Sequence, residues 1–158
     1  MKLISNDFKD GQKLPERHVF NGMGYQGDNL SPHLSWSECP AGTKSLVVTC
    51  FDPDAPTGSG WWHWVVVNIP VTTTELAQGA GSLPDLLPEK ALQTRTDFGQ
   101  SGYGGAAPPA GESHRYVFTV HALDVEQLEV DAQASGAMVG FNVHFHSLAS
   151  ASITALYA

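Results

Sequence analysis

The chain is poor in charged residues, above all in positive ones, and it has no long apolar run. Charged residues make up 15% of its 158 residues, and 8 Lys and Arg stand against 16 Asp and Glu, for a formal net charge of −8. This acidic balance opposes the phosphate contacts on which nucleic-acid binding depends, and it disfavours anionic membrane surfaces. No apolar run approaches the roughly 20 residues that a transmembrane helix needs. We therefore expect neither a nucleic-acid partner nor a transmembrane segment.

Cysteine is scarce, and the first residues do not look like a secretion signal. Cys39 and Cys50 form no C-x-x-C pair, and Cys50 lies in an apolar run where a free thiol behaves as a small hydrophobe. A structural disulfide is therefore not favoured. The chain starts without an apolar h-region, so the sequence predicts a cytoplasmic protein. Its length is that of one domain, which we place at residues 1–158.

Short apolar runs separated by Gly, Pro and Asn or Asp clusters favour an all-β core over alternating strands and helices. Runs of this kind at residues 46–51 and 64–69, together with residues 116–123, predict three central strands. Shorter strands are expected at residues 18–20, 33–36 and 153–157. The predicted fold is therefore dominated by β-structure, as a β-sandwich.

One segment near the C-terminus breaks the β pattern, and we expect one or two short helices in all. Ser135 is a candidate N-cap, and apolar residues then recur at helical spacings of three and four. These residues, which we expect to face the core, are Met138, Phe141, Phe145 and Leu148. Residues 71–109 show little periodicity, so this connection either has a function or contains short strands.

Two motif-like patterns carry no cofactor or metal prediction. Residues 22–27 match G-x-G-x-x-G, but Pro32 and its neighbouring turn formers cannot open the helix that a dinucleotide site requires. His144 and His146 are two apart on the predicted helix, so they point in different directions and are read as packing or surface residues. We expect the isolated histidines at 18, 33 and 121 to be packing residues as well.

The aromatic cluster at residues 61–64, Trp-Trp-His-Trp, is the first candidate for a site. Strand alternation sends Trp61 and His63 to one face and Trp62 and Trp64 to the other. The alternative is that the tryptophans simply fill the sandwich interior, but a histidine is an unusual choice for an apolar layer. A buried imidazole needs a hydrogen-bond partner, which an aspartate of the preceding turn, Asp52 or Asp54, would supply.

A second segment follows the same logic, with a Gly/Pro loop leading into a strand at His114. Alternation puts His114 and Tyr116 on one face and Arg115 on the other. Two imidazoles and a phenol then converge with the Asp52 carboxylate. The backbone amides of two loop glycines would add donors for an anion, and these are Gly104 and Gly105. Arg115 is expected either to pair with a loop carboxylate such as Asp54 or to contact the ligand.

Two kinds of function fit these residues. The first is a binding protein that captures a small anion through His63, His114 and Tyr116. The second is a hydrolase that uses the same aspartate and histidines as metal ligands or as acid and base. Ser59 lies outside a G-x-S-x-G elbow, and no metal-ligand spacing is present, so we expect a protein that is not an enzyme and that has no cofactor.

The chain resembles the phosphatidylethanolamine-binding proteins. Four segments in the family's order carry the resemblance: GDNLSPHLSW at 27–36, DPDAP at 52–56, HWVVVN at 63–68 and GESHRY at 111–116. Within that family the chain is most similar to the bacterial Raf-kinase-inhibitor-like branch. The reasons are its compact length and the GYGG segment at 102–105, ahead of the proline pair. Bacterial relatives commonly have a proline directly after the paired glycines, where this chain has Ala106.

The resemblance implies an antiparallel β-sandwich of two sheets, with a small cavity that accepts phosphate, phosphorylated headgroups or carboxylates. It assigns ligand-binding roles to these residues: Asp52, Pro56, Trp61, His63, Gly104, Gly105, Pro109, His114 and Tyr116. It also implies a homodimer. Eukaryotic members are known as modulators of kinase signalling and as protease inhibitors, so a kinase or protease partner is the corresponding expectation here.

Overall fold

Two antiparallel sheets of unequal size pack face to face in the computed structural model, which describes residues 1–158. The smaller sheet has the order β1-β2-β5, from β1 (Lys2–Ile4), β2 (Leu34–Ser37) and β5 (Glu75–Leu76). The larger sheet has the order β6-β4-β3-β7-β8, from β3 (Ser45–Asp52), β4 (Trp61–Pro70), β6 (Leu92–Gln93), β7 (His114–Leu123) and β8 (Ser147–Tyr157). One α-helix, α1 (Gly136–His146), and a 3-10 turn (Glu16–His18) complete the fold.

The main core lies between the sheets, because alternate residues of the long strands point inward. On β3, Leu46, Val48 and Cys50 face the smaller sheet, whereas Val47 faces the opposite side. β3 is paired on both sides, with β4 and with β7, and nearly all of its residues are buried. A continuous apolar sequence is therefore what this central strand requires. The predicted β-sandwich of two antiparallel sheets with a helix near the C-terminus is confirmed.

The three long apolar runs form the centres of β3, β4 and β7, as predicted. The predicted strand at 153–157 begins earlier, at Ser147, because the backbone of an Ala- and Ser-rich stretch continues the pairing with β7. The strand predicted at 18–20 is wrong. Glu16–His18 form a 3-10 turn after Pro15, and Val19 makes only an isolated bridge to Ala106. The weakly periodic segment 71–109 does contain short strands, β5 and β6.

A β-bulge at His63 changes the alternation that the sequence predicts for β4. Trp62 and Trp64 pair with adjacent residues of β3, so His63 is left without a partner between them. Trp64 therefore joins the core between the sheets, while Trp62 packs on the outer face. The prediction that Trp62 and Trp64 share a face is wrong, whereas Trp61 and His63 do lie on one side.

Helix α1 packs on the outer face of the larger sheet through one glycine and two valines. Ser135 caps it as predicted, accepting a hydrogen bond from the amide of Met138 at 3.1 Å. The buried positions are Gly136, Val139 and Val143, and a Cβ added to Gly136 would overlap the Trp62 indole. The apolar residues predicted to face the core from this helix are instead exposed, and the last of them lies in β8, beyond the helix: Met138, Phe141, Phe145 and Leu148. The prediction was wrong because close approach to Trp62 favours small side chains over large ones.

The cysteines, the glycine-rich segment and the helix histidines form no special site in the structure. Cys39 is exposed, Cys50 is buried, and both are free thiols. Residues 22–27 form a bend, a turn and irregular backbone, and no helix follows them. His144 is exposed on α1, and His146 contacts Asp124 at 3.0 Å. The single α-helix is too short to cross a bilayer.

The two glycines of α1 offer a test of this packing. Gly136→Ala should destabilise the protein by about 1–3 kcal/mol, because its methyl group would overlap Trp62. Gly140→Ala on the same helix meets nothing within 4 Å and should stabilise by about 0.5–1 kcal/mol through helix propensity. Urea unfolding measures both changes. Equal effects of the two substitutions would contradict the assigned helix face.

Candidate functional site

A cavity of about 200 Å³ opens at one end of the larger sheet, where β3 ends and β4 and β7 begin. The hairpin turn between β3 and β4 forms one wall, and the segments around Phe98 and Pro108 form the others. All the site residues predicted from the sequence line this cavity except the two glycines. They are Asp52, Pro56, Trp61, His63, Pro109, His114 and Tyr116.

A buried ion pair joins β3 to β7 at the floor of the cavity. His114 Nδ1 donates to Asp52 Oδ2 at 2.7 Å, and both side chains are almost completely buried. Because a carboxylate can only accept, Nδ1 carries the proton and Nε2 is left free to act on a ligand. Nε2 lies 3.4 Å from Glu112 Oε1, a long contact to a half-exposed side chain. Burial alone would lower the pKa of His114, but these two carboxylates raise it above its ordinary value.

His63 is held by the backbone of the opposite wall, not by an aspartate. Its Nδ1 lies 2.7 Å from the carbonyl oxygen of Gly104, so Nδ1 carries the proton of the neutral ring. Burial lowers the pKa of His63 below its ordinary value, and the Gly104 carbonyl offsets part of that effect. The prediction that Asp52 or Asp54 holds His63 was therefore wrong, because Asp52 pairs with His114 instead.

The phenol of Tyr116 is the polar group of the floor that lacks a partner. Tyr116 Oη is buried and makes no hydrogen bond within the protein. The other buried side-chain atoms without a partner belong to His18 and Thr94, which do not line the cavity. Burial, with the nearby Asp52 carboxylate, raises the pKa of Tyr116 well above its ordinary value, so the hydroxyl keeps its proton. An unpaired buried hydroxyl is unfavourable unless something else satisfies it.

Gly104 and Gly105 shape the wall but do not present their amides to the cavity. The amide of Gly104 donates to the His63 carbonyl at 2.9 Å, and that of Gly105 donates to Asn29 Oδ1 at 2.7 Å. A Cβ on Gly104 would overlap the ring of Phe98, and one on Gly105 would overlap the backbone around His18. The predicted role as backbone donors to an anion is therefore corrected, since both N–H groups are already bonded.

Arg115 pairs with the hairpin turn and points away from the cavity. Its guanidinium makes two hydrogen bonds to Asp54, at 3.0 and 2.9 Å, and its amide donates to the same carboxylate at 2.9 Å. These hydrogen bonds lower the pKa of Asp54 to about 2. Of the two roles open to Arg115, the structure thus shows the ion pair with Asp54. The amide of Asp54 also donates to Asp52 Oδ1 at 2.7 Å, which fixes the turn to the floor of the cavity.

Apolar side chains form the upper walls, and sequence reasoning missed most of them. Phe98 stacks on Phe20 and contacts Trp61 and His63 edge to face, with ring centroids 5.4 Å apart in both cases. The only signal for Phe98 was a lone aromatic residue in a turn-rich segment. The other residues that line the cavity but were missed are Met23, Ala55, Thr57, Ala107 and Pro108. Pro108 is anchored by Tyr25, whose hydroxyl donates to the Pro108 carbonyl.

No lysine or arginine lines the cavity, so its charge comes from few groups. Asp52 and His114 lie at the floor, with Glu112 beside His114. No group of three or more His, Cys, Asp or Glu side chains is arranged to hold a metal ion. The polar groups able to meet a ligand are therefore two imidazoles and one phenol, below walls that are mostly apolar.

Fold and cavity together define a β-sandwich protein with a histidine-lined cleft at one end of its larger sheet. The chain belongs to the phosphatidylethanolamine-binding protein family, whose model matches residues 4–158. It is 73% identical to the UPF0098 protein YbhB of Escherichia coli strain K12 over 158 residues, the full length of both chains. YbcL of the same strain is 51% identical and is matched over 99% of this chain and 86% of YbcL.

Solved structures support the same relationship. The crystal structure of Escherichia coli YbcL, described as a new member of the mammalian PEBP family, matches with a TM-score of 0.96 over 99% of this chain and 96% of that one. A putative PEBP homolog from Chlamydia trachomatis, 30% identical, matches with a TM-score of 0.83 over the same shares of each chain. The resemblance stated from the four sequence segments is confirmed at the level of the family.

The Asp52–His114 pair leads to a pH prediction. Asp52→Asn should lower the pKa of His114, because it removes the charge that stabilises the imidazolium. A raised pKa stabilises the fold fully below the unfolded-state value of about 6.5, and this stabilisation is lost as the pH rises through the folded-state pKa. The stability that wild type gains on acidification should therefore shrink in the variant.

Histidine NMR titration measures the pKa, and urea unfolding at several pH values measures the stability. Glu112→Gln is the control, since this half-exposed carboxylate makes only the longer contact and should produce the smaller shift in pKa. A His114 pKa that does not change in Asp52→Asn would contradict the assigned pairing.

Proposed function

We propose that this protein captures a small anionic group, such as a phosphate, a phosphorylated headgroup or a carboxylate, in the cavity at the end of its larger sheet. The observation that carries the proposal is the buried hydroxyl of Tyr116, which has no partner in the protein and belongs to a residue that lines the cavity together with His63 and His114. A ligand oxygen that accepts from this hydroxyl removes an unfavourable unpaired group, which supports binding.

The charge of the floor supports the same assignment. Asp52 holds His114 as the donor at Nδ1, and the raised pKa of His114 favours the imidazolium, whose Nε2–H is an anion donor. His63 and Tyr116 are in contact, with ring centroids 5.1 Å apart, and both line the cavity. The apolar walls formed by Phe98 and the prolines limit water and strengthen these hydrogen bonds.

We further propose that the site binds its ligand without transforming it. Thr57 is the only aliphatic hydroxyl on the cavity wall, and its Oγ1 donates to the Gly60 carbonyl at 2.6 Å. It is therefore not directed at a histidine that could act as its base. The phenol of Tyr116 keeps its proton because burial raises its pKa, which makes it a poor nucleophile.

Two tyrosines provide a matched test of the binding proposal. Tyr116→Phe should leave the stability unchanged or raise it by up to about 1 kcal/mol, because the hydroxyl it removes is unpaired. The same change should weaken phosphate binding about tenfold, since a hydrogen bond to an anion is lost. NMR titration with phosphate and urea unfolding measure the two effects.

Tyr103→Phe is the control, because Tyr103 Oη donates to the His18 carbonyl at 2.7 Å and lies off the cavity. It should destabilise the protein by about 1 kcal/mol and leave binding unchanged. His63→Ala and His114→Ala should abolish binding while the fold is retained. Unchanged phosphate affinity in both histidine variants would refute the assignment of the site.

Metal analysis distinguishes capture from metal-dependent hydrolysis. Protein purified without chelator should carry no stoichiometric metal, because the ligand groups of the floor are already paired with each other and with the backbone. Elemental analysis of wild type and of His63→Ala gives the answer. A stoichiometric ion that is lost in the variant would favour a hydrolase instead.

A further inference from the structure

We propose that the cavity selects a singly protonated phosphate monoester, the monoanion, over a dianion and over anions that carry no proton. This inference rests on the proposed function and concerns which anions the same site accepts. It follows from whether each polar group at the floor of the cavity acts as a hydrogen-bond donor or as an acceptor.

The first step is that His63 faces the cavity as an acceptor. Its Nδ1 lies 2.7 Å from the Gly104 carbonyl, which can only accept, so the ring proton is on Nδ1. In the neutral ring Nε2 then carries a lone pair, and no group of the protein donates to it, since the backbone groups that act on the ring are the carbonyls of Gly104 and Gly105. Burial disfavours the imidazolium, and it lowers the pKa of His63. The polar atom that His63 offers a ligand therefore needs a donor.

The second step is that the other two groups are donors. His114 Nδ1 is committed to Asp52, and the imidazolium offers Nε2–H, which has only a long contact of 3.4 Å to Glu112. Tyr116 Oη keeps its proton and has no partner. The floor therefore presents two donors and one acceptor within one small cavity.

The third step concerns the charges that face His63 from each neighbouring element. β3 contributes Asp52, β7 contributes His114, and the segment after β6 contributes Asp97, which accepts from the Trp62 amide at 2.7 Å. Glu112 lies at the start of β7, beside His114. No lysine or arginine lines the cavity, so the His114 imidazolium is the only cation on its wall. A second negative charge on the ligand has no partner here.

A phosphate monoester monoanion matches this set of groups. Its P–OH can donate to His63 Nε2, while its other oxygens accept from His114 and Tyr116. A sulfate ester has the same shape and the same single charge but no proton, so it would place an oxygen lone pair against that of His63. An unpaired polar group in a buried site is strongly unfavourable, which gives discrimination without any change in ligand size.

Phenyl phosphate and phenyl sulfate test the inference on the wild-type protein. NMR titrations at about pH 6, near the second pKa of about 6 of a phosphate monoester, should give phenyl phosphate an affinity at least about tenfold higher than that of phenyl sulfate. As the pH rises, the ratio of the two affinities should fall. Because phenyl sulfate keeps one charge throughout, its own pH dependence reports the loss of the His114 proton.

The ¹⁵N shifts of His63 give an independent readout. In the complex with phenyl phosphate they should remain those of the neutral ring with its proton on Nδ1. His63→Gln should bring the two affinities together, because an amide can turn either a donor or an acceptor towards the ligand. Far-UV circular dichroism checks that this variant is folded.

The possible outcomes separate the two proposals. Equal binding of phenyl sulfate and phenyl phosphate, or a His63 imidazolium in the complex, would overturn the selectivity for a protonated ligand but leave anion capture standing. Binding of neither ester, and of no inorganic phosphate, would overturn the proposed function itself. A preference for phenyl phosphate that persists in His63→Gln would show that the selectivity does not arise from His63.

Discussion

The buried carboxylate of Asp52 is the group on which the rest of the cavity depends. It accepts hydrogen bonds from His114 Nδ1 and from the Asp54 amide, both at 2.7 Å, so one side chain joins the end of β3 to β7 and to the hairpin turn. A buried carboxylate is strongly unfavourable without such partners, so both contacts are fixed together. Asp54 in turn holds Arg115 on the outside. The turn is therefore held by hydrogen bonds to both strands, and the cation at the floor is an imidazolium, not a guanidinium.

The sequence predicted the parts of this arrangement that depend on a regular strand. His114 and Tyr116 were placed on one face and Arg115 on the other because β7 runs without interruption from His114 to Leu123. The same rule failed at Trp64, because the bulge at His63 inserts one residue into β4 and nothing in an apolar run marks where it occurs. The two-residue periodicity of a strand thus predicts side-chain direction only where the pairing with the neighbouring strand contains no bulge.

The partners of the buried groups could not be predicted in the same way. Either aspartate of the turn was a reasonable partner for His63, and only the fold shows that Asp52 reaches His114 while His63 reaches a carbonyl 41 residues away. The prediction of the buried face of α1 failed for a different reason. Hydrophobicity favoured Phe141 and Phe145 as core residues, but the helix approaches Trp62 so closely at Gly136 that no side chain fits there, and this contact sets the buried face. Steric fit of this kind is a property of the packed pair and not of the helix sequence.

The proposed anion site lies in a chain with a net charge of −8, and no lysine or arginine lines its cavity, so anion binding there needs a physical explanation. Net charge governs long-range attraction, which solvent and salt screen, whereas the energy of a buried site is set by the groups in direct contact. Here those groups are oriented in advance: Asp52 fixes His114, and the Gly104 carbonyl fixes His63. In the proposed complex, a ligand oxygen without a proton is favourable where it meets a donor and unfavourable where it meets a lone pair. With so little positive charge available, selectivity must come from this polarity, because a mismatched polar contact is more unfavourable than a matched one is favourable.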